Sequence, residues 1–211
     1  MMARVNRQTK ELHRTSLLEA AAAEFARRGI DAANVNRISL SAGLAKGTVY
    51  NYFSSKDALF LAVVDEACAR AAEGAEAVPT DAPTQERLRA ILAGEIEWVR
   101  GDEDFARVLV REALTADRRF YSQIVAAAAP FVEKVAEILS DGITRGEVRD
   151  DISVERLALM FTGLGELALL QHWGTDGGWP ALEEIPDLIT GLFLQGAGRA
   201  REPKPKRGGR R

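Results

Sequence analysis

The chain has 211 residues, of which 46% are hydrophobic and 28% are charged, a balance typical of soluble globular proteins. This composition excludes disorder over most of the length, and the single cysteine, Cys68, excludes an intrachain disulfide. The first residues lack the apolar region of a secretory signal, and no uncharged apolar stretch is long enough to cross a bilayer. We therefore expect a cytoplasmic protein without a membrane partner.

Charge is distributed unevenly along the sequence. Residues 1–56 contain nine Lys or Arg and four Asp or Glu, whereas residues 57–198 contain 12 and 26. A basic N-terminal segment on an acidic protein indicates a polyanionic partner, most simply a nucleic acid. Charge also fluctuates in sequences that have no such partner, so the asymmetry alone leaves both readings open.

Apolar residues recur at three- and four-residue spacing almost throughout, which predicts an all-α fold. The first helix is predicted from near Arg14 to Gly29, because glycine readily adopts the left-handed conformation that ends helices. Asn34 is predicted to cap a short second helix that ends near Gly43. A third short helix is predicted over Lys46–Phe53.

Longer helices are predicted to follow. Ser55 can cap a fourth helix over Lys56–Ala77, which precedes a Pro-containing loop at 78–83. Pro130 should kink or divide the helix that contains it, because proline removes a backbone donor. Residues 201–211 are too polar and too rich in Pro and Gly to bury a core, so we predict a disordered basic tail. The remaining predicted helices are Thr84–Arg100, Glu103–Ala116, Arg118–Arg145, Ser153–Trp173 and Pro180–Arg199.

Three helices joined by turns of a few residues are typical of a helix-turn-helix domain. The helix-turn-helix itself is predicted at about residues 35–53, with Gly43 in its turn. The apolar residues of this segment predict a small core that includes Phe53. Removing them leaves a polar outer face suited to phosphates and base edges: Lys46, Thr48, Tyr50, Asn51, Tyr52 and Lys56. The alternative is a plain three-helix bundle in which the tyrosines belong to the core.

The series AGLAKGTVYNYFSSKDAL at residues 42–59, with Leu17 to Gly29 before it, resembles the DNA-binding domain of tetracycline-repressor-type (TetR family) regulators. The resemblance covers about residues 12–64. It implies an N-terminal helix-turn-helix domain at 1–56 and a C-terminal helical effector-binding and dimerisation domain at 57–200. It also implies a regulator, most simply a repressor, that binds a palindromic double-stranded DNA operator as a homodimer and is released by a small molecule.

The resemblance assigns roles to individual positions. It implies phosphate contacts from the polar outer face, base contacts from Tyr50 and Asn51, and close approach to the groove at Gly47. Asn34 stands at the cap of the second helix, where a phosphate contact is also common. On that helix, either Asn36 or Arg37 could face the DNA.

A short recognition helix reads few base pairs, so helix-turn-helix proteins commonly dimerise and place two such helices about 34 Å apart. The segment Ser153–Trp173 is apolar nearly all round and must be covered on more than one face. We predict that it forms a dimer interface with the last helix; the alternative is burial of both helices within one protomer. The predicted interface residues are Leu157, Phe161, Leu164, Ala168, Leu188 and Leu192.

A transcriptional regulator responds to a signal, and aromatic residues of the middle helices could line an apolar pocket for a small-molecule effector. The predicted pocket residues are Trp98, Phe105, Phe131, Phe161, His172 and Trp173. Cys68 is predicted to be a small buried hydrophobic residue rather than a redox switch, because no second cysteine could resolve an oxidised form. Acidic pairs fall at predicted helix starts, so we expect no metal and no cofactor.

Two other classes of function remain as alternatives: a helical enzyme and a scaffold that binds only protein. The sequence contains no HExxH or phosphate-loop motif, and its only histidines are His13 and His172. We therefore expect no enzymatic activity.

Overall fold

The computed structural model describes residues 2–75, 78–115 and 117–197, and within these ranges it contains helices and no strand. The all-α prediction is confirmed, whereas the tail predicted at 201–211 lies outside the described residues. 3₁₀ helices cover Thr48–Asn51 and Leu182–Glu184. The α-helices, α1 to α8 in chain order, are Met2–Ala32, Val35–Ser41, Lys56–Gly74, Thr84–Gly101, Glu103–Thr115, Tyr121–Thr144, Val154–Gly174 and Ile185–Ala197.

Helix α1 begins at Met2 rather than near Arg14. Residues 7–12 are exposed, so this first part carries no apolar stripe from which periodicity could have predicted it. Gly29 has φ 72° and ψ 166°, which breaks the regular helical path where the sequence predicted the end of the helix. The glycine thus acts as a break, although helical residues continue to Ala32.

Three predicted helices differ from the structure. The third short helix is a single 3₁₀ turn at Thr48–Asn51 rather than a helix over Lys46–Phe53, because Gly47 before it has φ 77° and cannot continue an α-helix. Helix α6 runs through Pro130 as one continuous element, so the proline does not divide it. The last helix begins at Ile185 rather than at Pro180, after an irregular stretch and a short 3₁₀ turn.

Helix α3 joins two parts of the molecule: the head, Met2–Asn51, and the body, which consists of helices α4 to α8. Phe60 of α3 packs edge-to-face on Phe25 of the head, with ring centroids 5.4 Å apart. On its other side it contacts Phe120 of the body at 4.9 Å. A continuous set of buried apolar side chains therefore runs from the head into the body, so a movement of one part displaces side chains of the other.

Close backbone approaches shape the body. A side chain at Gly94 of α4 would place its Cβ 2.4 Å from the carbonyl oxygen of Gly74 in α3, so glycine is required for the crossing of these two helices. On the other side of the body, Phe161 of α7 packs on Phe193 of α8, with centroids 5.1 Å apart. These contacts fix α3, α4 and α7 around the interior cavity described below.

Candidate nucleic-acid interface and effector cavity

Asn34 caps the first helix of the helix-turn-helix unit. Its side-chain oxygen accepts hydrogen bonds from the backbone N–H groups of Asn36 (3.0 Å) and Arg37 (3.2 Å), as the sequence predicted for this position. Its own N–H donates to the buried carboxylate of Glu24 in α1 at 3.1 Å. Glu24 also forms an ion pair with Arg37 at 3.3 Å, so the start of α2 is attached to α1 by both charge and hydrogen bonding.

The turn between α2 and the 3₁₀ helix is held by Ser39, which is fully buried. Its carbonyl oxygen accepts from the N–H of Leu44 at 2.9 Å, and its hydroxyl accepts from the N–H of Val49 at 3.3 Å. The Ser39 side chain thereby satisfies a backbone donor of the recognition turn, the 3₁₀ turn Thr48–Asn51. Gly43, with φ 74°, provides the reversal between the two elements.

This scaffold presents a polar, partly aromatic surface on and beside the recognition turn. Tyr50 is 57% exposed, and Lys46 and Asn51 are exposed beside it. Asn36 and Arg37 are exposed on α2, so the structure leaves open which of them would face DNA. Gly47 and Thr48 are half-buried at the start of the turn. The plain-bundle alternative, in which Tyr50 belongs to the core, is therefore wrong for this residue.

Two of the predicted DNA contacts already have partners within the head. A hydrogen bond of 3.0 Å joins the Tyr52 hydroxyl to Nδ1 of His13. The ammonium of Lys56 donates to the carbonyl oxygen of Asp31 at 3.0 Å. Both side chains are half-buried, so they position the recognition turn and keep part of their polar surface accessible.

The body contains a cavity in two connected parts. The inner part, the recess, has a volume of about 30 Å³ and is lined by residues of α3 to α7, including Cys68, Glu95 and Phe131. The outer part, the groove, has a volume of about 350 Å³ and lies mainly between α6 and α7. The two parts adjoin, because Ala128, Val132, Thr162 and Glu166 line both. A largely apolar space with a few polar groups is typical of a small-molecule site.

Two carboxyl groups face the recess. Burial and, to a smaller extent, the neighbouring charge of Glu166 together raise the pKa of Glu95 to about 8. Burial also raises the pKa of Glu166 to about 7. The thiol of Cys68 is buried as predicted, and burial raises its pKa to about 12, so it is not a reactive thiolate.

Of the six predicted pocket residues, Phe131 alone lines the recess, and none lines the groove. The others have separate packing roles that aromatic content could not distinguish: Trp98 and Phe161 are buried, and Phe105 packs under the guanidinium of Arg70. His172 Nδ1 forms a 2.8 Å hydrogen bond with the carbonyl oxygen of Pro180, so it fixes a loop. Trp173 stacks on Arg107 at a different surface cleft.

The predicted dimer residues also separate into two groups. Phe161, Leu157 and Ala168 are buried within the protomer, so packing in the protomer accounts for these side chains and their assignment to the interface stays a prediction. Leu164 and Leu188 are half-buried, and Leu192 is 59% exposed. The apolar side chains that α7 leaves exposed are instead Leu159, Met160, Leu167 and Leu170. The all-round apolar pattern could not reveal which stripe faces the protomer core.

Sequence reasoning missed residues that fix the backbone of the helix-turn-helix and residues that line the cavity. Ser39 and Glu24 gave no signal in the sequence, because their roles depend on hydrogen bonds to other segments. Glu166 did give a signal: it is an ionisable residue inside a helix that is apolar nearly all round. Within the described ranges, no group of His, Cys, Asp or Glu could hold a metal ion, and no helix is long and apolar enough to cross a membrane.

The trihelical head with its capped, exposed recognition turn is that of a helix-turn-helix DNA-binding protein. A family profile described as bacterial regulatory proteins, tetR family, matches residues 17–63, and one described as tetracyclin repressor-like, C-terminal domain, matches residues 81–197. The second match alone covers more than half of the chain. The chain therefore belongs to the TetR family of transcriptional regulators, as the motif at residues 42–59 predicted.

Individual relatives agree with this assignment. The transcriptional repressor AcnR of Corynebacterium glutamicum is 26% identical over 180 residues, which is 84% of this chain and 90% of AcnR. The repressor KstR2 of Rhodococcus jostii is 27% identical over 195 residues, covering 89% and 92% of the two chains.

Solved structures share the fold. FadR from Bacillus subtilis, in complex with stearoyl-CoA, has a TM-score of 0.77 at 22% identity and covers 86% of this chain and 98% of FadR. AibR, in complex with isovaleryl coenzyme A and operator DNA, has a TM-score of 0.68 at 22% identity, with coverage of 85% and 97%.

Proposed function

We propose that this protein is a homodimeric repressor that binds a palindromic operator and releases it when a small molecule enters the cavity of the body. The observation that carries the proposal is the recognition turn. Lys46, Tyr50 and Asn51 are exposed on a short element whose backbone is fixed by Ser39 and by the Asn34 cap. A backbone held in this way can present these side chains to a groove without losing further backbone freedom.

The rest of the predicted DNA surface fits around this centre. The recognition turn begins at Thr48 and is followed by Tyr52 and Lys56. Gly47 leaves open space before the turn, since a Cβ there would meet nothing within 4 Å. Asn34 and either Asn36 or Arg37 would contact the backbone from the start of α2. These assignments agree with the basic balance of residues 1–56.

Dimerisation is proposed through the exposed apolar stripe of α7 together with α8. A stripe of large apolar side chains on a surface helix indicates a protein interface. The repressor names of AcnR and KstR2 support the sign of regulation. The adjoining groove and recess support an effector site, and the acyl-CoA complexes of FadR and AibR show that ligands bind to this fold.

The decisive experiment is operator selection from random duplexes, followed by a mobility-shift assay on the enriched sequence. The double variant Lys46→Ala with Tyr50→Ala should lose at least about 100-fold in affinity and retain its fold and dimer mass. Lys134→Ala, which removes a cation from α6 in the body, is the matched control and should bind normally. Unchanged affinity of the double variant would exclude the recognition turn as the DNA contact.

The salt dependence tests the same assignment independently. Each phosphate contact contributes about one unit to the slope of log K against log salt concentration. Lys46→Ala should therefore lower the slope by about two for a dimer, because two protomers each lose one contact. Selection that enriches no duplex would favour the protein-binding scaffold, and turnover on a substrate panel would favour the enzyme.

A further inference from the structure

The two carboxyls in the recess differ from the other acidic group nearby. Glu112 is buried at the groove, but Arg111 neutralises it through an ion pair of 3.1 Å. Glu95 and Glu166 form no ion pair with a cation in the described ranges. Both side chains are half-buried. A carboxyl that is partly removed from water and lacks a cationic partner is costly to ionise, and the protein's own contacts do not explain two such groups at one recess.

Every helix around the recess contributes apolar or acidic groups. Helix α3 contributes Cys68, whose thiol also experiences the charge of Asp65, and α4 and α7 contribute the two glutamates. Helix α5 contributes Leu109 to the recess; Glu112 of α5 and Glu133 of α6 line the groove. Lys, Arg and His do not occur among the described residues that line the recess or the groove. The electrostatic environment therefore favours a cation.

The recess and the groove differ in size and lining, so a ligand that fills both must have two chemically different portions. The recess holds about 30 Å³, enough for a small polar group, whereas the groove holds about 350 Å³ and is lined mainly by apolar side chains of α6 and α7. Gly165 lets α7 pass close to α4 beside the recess, because a Cβ there would lie only 3.2 Å from Cδ2 of Leu92. A ligand that fills both parts has a compact polar end and an extended apolar body.

We propose that the effector is an amphipathic organic amine, bound with its ammonium group in the recess between Glu95 and Glu166 and its apolar body in the groove. This inference rests on the proposed function, because it specifies the effector of that regulator. The ammonium donates hydrogen bonds to the two carboxylates and supplies the missing positive charge. An alkyl tail in the recess would leave both carboxyls unpaired, and a ligand carboxylate would be repelled by them.

The test compares ligands of equal chain length on the full chain. Octylamine, octanol, octanoate and octanoyl-CoA are titrated calorimetrically, and octylamine should bind at least about tenfold more tightly than each of the others. Glu95→Gln and Glu166→Gln should each weaken octylamine at least about tenfold and leave octanol unchanged. Glu155→Gln, an exposed carboxylate of α7 that lines neither the recess nor the groove, is the matched control and should change neither affinity. Thermal unfolding verifies that the variants are folded.

The pH dependence gives a second readout. Octylamine affinity should rise between about pH 6 and about pH 8.5, because both carboxyls must ionise to pair with the ammonium, whereas octanol affinity should stay constant. Tighter binding of octanoate or octanoyl-CoA, or octylamine binding that survives both Gln substitutions, would overturn the proposal. The mobility-shift assay without ligand tests DNA binding separately, so a regulator that binds its operator and ignores amines refutes only this inference.

Discussion

Arg111 of α5 donates a hydrogen bond from Nη2 to the carbonyl oxygen of Phe25 at 2.9 Å, joining the body to the last regular turn of α1 before Gly29. Its Nη1 donates to the carbonyl oxygen of Ala26 at 3.2 Å. The same guanidinium forms an ion pair with Glu112, which lines the groove. One side chain therefore contacts both a wall of the proposed effector site and the helix that supports the DNA-binding turn.

The first prediction concerns this connection. Arg111→Gln with Glu112→Gln should reduce the response of DNA binding to effector about fivefold or more beyond any change in effector affinity, because the link between the two sites is lost. The measurement is the effector concentration that half-releases operator, compared with the calorimetric Kd. The pair Arg107→Gln with Glu103→Gln, an exposed ion pair on the same helix, is the control. An unchanged release concentration would show that coupling takes another route.

The second prediction concerns the cap of α2. Asn34→Ala removes the acceptor of two backbone N–H groups, so the free energy of unfolding should fall by about 1 kcal/mol and operator affinity should fall with it. Asn34→Ser should restore most of the stability, because serine also caps helices. Chemical denaturation measures the first quantity. If Ala and Ser variants were equally stable, the capping bonds would not contribute.

The third prediction concerns the crossing of α3 and α4. Gly94→Ala would place a methyl group 2.4 Å from the carbonyl oxygen of Gly74, so the helices must separate. The expected loss is about 1–3 kcal/mol, despite the better helix propensity of alanine. Gly101→Ala on the same helix meets nothing within 4 Å and is the control. Equal thermal midpoints for the two variants would contradict the close approach.

The fourth prediction concerns the dimer. Leu167→Glu places a charge in the exposed apolar stripe of α7, so the mass measured by light scattering should fall from dimer to monomer at micromolar concentration. Leu12→Glu alters an exposed leucine of α1 and should leave the mass unchanged. A dimer that persists in the Leu167 variant would locate the interface elsewhere.

The fifth prediction follows from the raised pKa values of Glu95 and Glu166, about 8 and about 7. In the unfolded chain these groups have a pKa of about 4.3. Between about pH 5 and about pH 8 the folded protein therefore binds more protons than the unfolded chain. Their contribution to stability therefore falls as pH rises through this window. The double variant Glu95→Gln with Glu166→Gln should be increasingly more stable than wild type toward pH 8. A difference in melting temperature between variant and wild type that stays constant from about pH 5 to about pH 8 would contradict this prediction.

The sequence predicted the elements whose signals are local. The Asn34 cap, the glycine at position 43 and the recognition segment were all identified, because capping and turn chemistry act within a few residues. The short 3₁₀ turn was predicted as a longer helix, since apolar spacing there does not distinguish the two forms.

The sequence by itself determined the family, the helical fold and the exposed recognition turn, because these depend on residues adjacent along the chain. Only the tertiary structure decided that Phe161 faces the protomer core and that Glu95 and Glu166 meet in one recess. The face that a largely apolar helix buries depends on which distant helices pack against it, and this information does not reside in the periodicity of a single segment.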